Sequence, residues 1–204
     1  MDPYGIEIKQ DEWSASCTDA IQSYFQELLD ALRNQNDTRA QHLIAHLHEP
    51  RETYLGLSKG APQGRGLGTV QGNRILHALK NSAAIKSGLL SDLSEAELFI
   101  DGIGPDMISD LTTNVLRGKL INYTQEQCEL YGIKALTQYA GPPIWNEQTK
   151  RWEAKYCDIP FINGAPVILV PKYSVRRRIS LDSQEFYNFH MIEYLRAEHI
   201  RANS

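Results

Sequence analysis

The sequence predicts an α+β fold, mainly helical, with a β-hairpin and a small mixed sheet. Three observations carry that expectation. Ile21, Tyr24, Phe25, Leu28, Leu29 and Leu32 recur at helical spacing. Pro105 follows a Gly-Ile-Gly turn and opens a second amphipathic stretch, with Met107, Ile108, Leu111 and Val115 on one face. Asn163-Gly164 separates two β-prone runs, 152–162 and 165–170, and that dipeptide favours a type I′ hairpin because both central residues need positive φ.

The whole chain sets bounds on function. Its 204 residues, 42% hydrophobic and 23% charged, suffice for one domain (1–204) with a real core. A helical N-terminal part (1–50) and a central core (89–172) are the expected subdivisions. A net charge of −4 argues against a protein that coats DNA. Cys17, Cys128 and Cys157 are widely spaced and form no CxxC or Cys/His cluster, which argues against a structural zinc. Three thiols and no signal peptide point to the cytoplasm. No apolar run reaches the ~18 residues of a transmembrane helix.

Taken in order, Tyr4-Gly-Ile-Glu-Ile-Lys alternates like a short opening strand. Ser16 or Thr18 is the expected cap of the first long helix, and Asn34 to Asp37 breaks it. A second helix carries Leu43, Ile44 and Leu47 and stops at Pro50. His42 and His46 stand at i, i+4, a spacing metals use. With no third ligand nearby in sequence, they read as exposed or packing histidines.

Residues 56–72 hold six glycines with Lys59 and Arg65, and run into a helix carrying Ile75, Leu76 and Leu79. Such a loop can turn its N–H groups toward phosphate, although it matches neither GxxxxGK[ST] nor a strand-linked GxGxxG. Ser94 and Glu97 form a capping-box pair in a short helix over 89–98. Beyond Arg117, Gly118 is expected to bend or end the helix, which otherwise continues to about Tyr131 and stops at Gly132. Residues 137–150 read as loop, and Pro160 places its strand at a sheet edge, at least locally. Lys172, Arg176, Arg177 and Arg178 concentrate positive charge. Asp182-Ser-Gln-Glu185 then caps a last helix with aromatics on several faces. That helix is suited to a further domain or a second subunit, and a piece of a longer protein is consistent with it.

Asp106, Asp110, Thr113 and Arg117 share the polar face of the helix that Pro105 opens. One reading makes Asp110 and Arg117 an internal ion pair, with Thr113 and Asn114 bonded to nearby backbone. A second concerns chemistry. Pro105-Asp106 and Glu153-Ala-Lys155, with Asp101 as an alternative first acid, resemble the PD-(D/E)xK nucleases. That resemblance implies that Asp106 and Glu153 hold Mg²⁺ while Lys155 assists. It departs from the family in placing Asp106 at a helix start, with a long helix between the two halves of the motif. Residues 93–111 also resemble the helix-hairpin-helix motif through Gly-Ile-Gly-Pro, although Asp106 and Asp110 stand where basic or neutral residues would serve phosphate better. Arg39 and His46 resemble the Arg-plus-His pattern of HEPN ribonucleases, with Ala40 in place of that family's polar residue.

Residues 89–128, Gly-Leu-Ser-Lys-Gly with Gly-Arg-Gly, and Leu181-Asp-Ser-Gln-Glu185 resemble a family of uncharacterised bacterial proteins found among mobile and host-defence genes. The resemblance implies a bacterial, anti-phage role and raises nucleic acid as a target. The expectation is therefore a defence-associated protein acting on nucleic acid, with Lys59, Arg65 and Arg176 to Arg178 as phosphate contacts and Mg²⁺-dependent cutting as its chemistry. The alternative is a non-catalytic binding or regulatory subunit of a multiprotein assembly, with a protein partner or a second copy bound.

Overall fold

The computed structural model describes residues 1–9, 11–48, 50–55, 67–82, 85, 93, 100, 103–133 and 136–175. Asp101, Lys59, Arg65, Arg176, Arg177 and Arg178 lie outside the described residues, as do the Ser94–Glu97 and Asp182–Glu185 capping boxes. The architecture is α+β, as expected. Helices α1 (Pro3–Glu7), α2 (Glu12–Arg33), α3 (Asp37–Ile44), α4 (Leu67–Asn81), α5 (Pro105–Val115) and α6 (Arg117–Leu130) precede two small antiparallel sheets. Strand β1 (Leu136–Ala140) pairs with β4 (Tyr156–Ile162), which also pairs with β5 (Ala165–Pro166), while β2 (Ile144–Asn146) pairs with β3 (Arg151–Glu153).

The expected opening strand is instead helix α1. Pro3 occupies its first turn, where a missing N–H leaves nothing unpaired, and Pro3, Gly5 and Ile6 are buried. Asp11, rather than Ser16 or Thr18, caps α2 by accepting from the Ser14 N–H at 2.8 Å. The predicted apolar stripe of α2 is the core: Tyr24, Phe25, Leu28 and Leu29 are almost wholly buried. Asn36 caps α3 by accepting from the Arg39 N–H at 3.1 Å.

The β2–β3 hairpin docks on α2 and α3 through two tryptophans. Trp145 and Trp152 are cross-strand partners. Their ring centres lie 5.1 and 5.6 Å from that of Tyr24, edge to face. The Trp152 indole N–H donates to the Leu43 carbonyl at 2.8 Å, and the Tyr24 hydroxyl donates to the same oxygen at 3.2 Å. A carbonyl left over at the end of α3 is thus satisfied by the two aromatic groups that pack against it.

Residues 137–150, expected as loop, contain β1 and β2. The Gly141-Pro142-Pro143 punctuation lies between the strands, and the paired backbone of β4 and β3 supplies partners that local sequence does not reveal. Asn163 and Gly164 adopt φ of 51° and 79°, the two positive values a type I′ turn requires, between paired Ile162 and Ala165. Strand β4 is central, between β1 and β5, yet Pro160 is at an edge locally, because the β4–β5 ladder covers only Phe161 and Ile162. The cost falls on β5. Val167 N–H donates to the Pro160 carbonyl at 2.9 Å, but Pro160 has no N–H to return the bond, and β5 ends after two residues.

Candidate functional site

The junction of α5 and α6 organises the surrounding loops. Helix α5 ends at Val115 and α6 begins at Arg117, so the break comes at Leu116 and not at Gly118. Gly118 has a different task. A Cβ there would lie 2.6 Å from Ile144 Cγ2, so the bare backbone lets β2 approach α6. Helix α6 closes at Gly132, as expected, with Ile133 N–H bonded to the Cys128 carbonyl at 2.7 Å.

Arg117 turns away from the polar face of α5 and finds a different carboxylate from the one anticipated. Its Nη2 meets Glu52 Oε1 at 3.1 Å, and its Nη1 donates to the Pro142 carbonyl at 2.9 Å. The break at Leu116 interrupts the 100° repeat that would have set Arg117 above Asp110. Both side chains of the Arg117–Glu52 pair are more than nine-tenths buried, at 5% and 7% exposure. Tyr139 lies beside them, and burial and the Glu52 carboxylate push its phenol above its ordinary range. Asp110 instead lies near the Met1 ammonium, which donates to Ser109 Oγ. Burial lowers that amine to about 6 despite the attraction of Asp110 and Asp2.

Thr113 and Asn114 bond backbone as expected. Thr113 Oγ1 donates to the Ser109 carbonyl at 2.7 Å. Asn114 Nδ2 bonds the Asp110 carbonyl at 2.7 Å and the His48 carbonyl at 2.6 Å. The junction therefore holds the segment after α3 through Asn114, the 3₁₀ turn Arg51–Thr53 through Glu52, and the turn between β1 and β2 through Pro142. Glu52 was invisible to sequence reasoning: it lies 65 residues from Arg117, in no shared motif.

Among the anticipated catalytic residues, Glu153 and Lys155 come together and Asp106 stands apart in role. Asp106 is exposed in the first turn of α5. Glu153 sits at the end of β3, where its Oε1 accepts from Asn146 Nδ2 at 2.8 Å and Thr149 Oγ1 at 2.9 Å. Its Oε2 faces Lys155 Nζ at 3.3 Å. The Asn146 and Thr149 bonds, helped by Lys155, hold its carboxyl below the usual range. This carboxylate closes the β2–β3 turn, whose Asn146 Oδ1 also accepts from the Gln148 and Thr149 N–H groups at 2.9 and 3.1 Å. Among the described residues, no three His, Cys, Asp or Glu side chains gather as metal ligands do. Its hydrogen bonds make the Glu153 carboxylate a charged cap on the turn.

Three other groups carry potential chemistry. Cys17 is buried, and desolvation raises its thiol to about 12, far from a nucleophile's range. Arg39, the arginine of the Arg-plus-His pattern, is engaged by Glu27 at 2.9 Å and by the Lys150 carbonyl. His46 packs on Trp152, with ring centres 5.8 Å apart.

Residues 1–182 match the model of a family described as a domain of unknown function, DUF8370. The chain belongs to that family. The match spans the described fold, from the buried Met1 through the 3₁₀ turn Lys172–Ser174. No curated protein and no solved structure matches the chain. Among the described residues, no helix is long and apolar enough to cross a membrane.

Proposed function

We propose that this protein is a non-catalytic binding module that docks on another protein through the end of α6 and the β4–β5 turn. The observation that carries this reading is a run of exposed apolar side chains. Leu130, Tyr131 and Ile133 are 71%, 72% and 47% exposed, and Ile162 is 60% exposed. The chain brings Ile133 and Ile162 to the same end of the β1–β4 pair, with Leu130 and Tyr131 at the end of α6 just before Ile133. Leu136, three residues beyond Ile133, pairs with Pro160, two residues before Ile162. Single exposed apolar residues are ordinary, but a contiguous group marks an interaction surface. Glu126 and Glu129 are exposed on the last turns of α6 and Asp158 on β4, and the Gln125 side chain ties α6 to the Asp158 carbonyl at 3.0 Å. The fitting partner presents an apolar segment flanked by lysine or arginine.

Photo-crosslinking from position 131 in cells identifies such a partner, which is then purified and titrated calorimetrically against this protein. Charging the patch with Leu130→Glu and Tyr131→Glu should weaken binding by about 100-fold or more. Tyr54→Glu, at a separate residue that is 62% exposed, should leave it unchanged. Equal binding by the patch variant contradicts the proposal. A concentration-dependent dimer lost in that variant reassigns the occupant to a second copy.

A defence-associated nuclease acting on nucleic acid is the second reading, favoured by the 3.3 Å approach of Glu153 and Lys155. It would place Mg²⁺ between Asp106 or Asp101 and Glu153, with Lys59, Arg65 and Arg176 to Arg178 as phosphate contacts. The binding module ranks first because Glu153 Oε1 is already occupied by two hydrogen bonds within its own turn.

A further inference from the structure

We propose that His42 and His46 form a binding site for a late first-row divalent metal ion, of the copper or zinc class. His42 is the last-turn histidine of α3, and Ala45 keeps right-handed helical geometry (φ −59°, ψ −22°). The i, i+4 relation therefore continues to His46, and both rings project from one side. Their ring centres are 5.7 Å apart at an interplanar angle of 79°. Two imidazoles bonded to one ion at about 2.1 Å place their ring centres roughly 5–6 Å apart for near-tetrahedral geometry, a range that contains the observed separation. His42 is exposed, which leaves room for water in the remaining coordination positions.

The surroundings favour binding. His46 is half-buried and braced against Trp152, which restricts one ligand before the ion arrives. The nearby cation on the same helix, Arg39, is neutralised by Glu27 at 2.9 Å. His48 is not one of the ligands; its Nδ1 is held 2.6 Å from the His46 carbonyl. The site is a two-ligand one: no group of three ligating side chains gathers among the described residues. That fits borderline, imidazole-preferring ions, among which copper(II) binds ahead of zinc, and disfavours Mg²⁺ and Ca²⁺, which take oxygen ligands. This inference is independent of the docking surface at the end of α6.

Trp152 supplies a readout. With His46 at 5.8 Å, Cu²⁺ held by that ring should quench its fluorescence. The test titrates untagged, chelator-treated protein with CuCl₂ followed by fluorescence, and with ZnCl₂ followed by calorimetry. One equivalent of Cu²⁺ should quench saturably, and Zn²⁺ should bind at the same stoichiometry more weakly. His42→Ala, at an exposed position, should weaken both by about tenfold or more. His46→Gln should do the same. The exposed His77→Ala variant should bind as wild type. Saturable quenching that persists unchanged in His42→Ala and His46→Gln overturns the site, as does the absence of one-to-one binding at millimolar metal.

Discussion

Removing the Glu52 carboxylate should be among the most damaging single changes available in this fold. Glu52→Ala leaves the Arg117 guanidinium, 5% exposed, with the Pro142 carbonyl but without its counter-charge. Deleting one partner of a buried ion pair costs about 3–5 kcal/mol, because the remaining charge stays desolvated. Since folded domains are stable by only about 5–15 kcal/mol, a third or more of the total is at stake. For a chain of this size the melting temperature should fall by roughly 10 °C. Glu52→Gln keeps an acceptor for Arg117 but loses the charge, and should cost about 1.5–3 kcal/mol. Replacing both members with apolar groups, Glu52→Leu with Arg117→Met, should recover most of the loss, since a buried pair often gives little net stability over well-packed hydrophobes. Urea unfolding followed by tryptophan fluorescence measures these proteins together with the single variants Glu52→Leu and Arg117→Met, which complete the double-mutant cycle and isolate the pair. A Glu52→Ala loss below about 1 kcal/mol, or a double variant no better than the worse single one, would refute the reasoning.

Other consequences are smaller and separable. Gly118→Ala should cost about 1–3 kcal/mol through its 2.6 Å contact with Ile144 Cγ2, and Ile144→Ala in the same chain should relieve the clash, both by chemical denaturation. In native thiol labelling near pH 8, half-exposed Cys157 should react first and Cys17, raised to about 12, should stay protected until the protein unfolds. Because the Glu153 carboxyl is held below its ordinary value, its contribution is present above the usual carboxylate range and is lost as pH falls through the lowered value. Trp145 and Trp152 emission should report loosening of the β2–β3 turn there, and Glu153→Gln should remove that acid step.

The legible parts of this fold are those where local pattern and tertiary packing agree. The α2 stripe, the Asn163-Gly164 turn and the stop at Gly132 each depend on neighbours in sequence, and each forms as read. The misread parts depend on distant partners. The period-two alternation at Tyr4 to Lys9 yields to a helix, since Pro3 starts it and the Asp2 N–H is bonded to the Ser174 carbonyl at 3.0 Å. Strand β1 exists because β4 pairs with it.

Site residues divide the same way. The polar face of α5 was legible as an internal network, and Thr113 and Asn114 behave accordingly. The identity of the buried acid was not, because a one-residue break at Leu116 redirects Arg117 toward Glu52. The Glu153-x-Lys155 spacing correctly predicts proximity, but Lys155 lies in the two-residue link between β3 and β4, where closeness in sequence produces that approach without any demand for catalysis.

The most direct measurement of the central claim, that this is a binding module and not a nuclease, is an incubation of the purified protein with single- and double-stranded DNA and RNA, in Mg²⁺ and in EDTA. The account predicts intact substrates under every condition. Mg²⁺-dependent cutting by the wild type that disappears in Asp106→Ala or Glu153→Ala would contradict it.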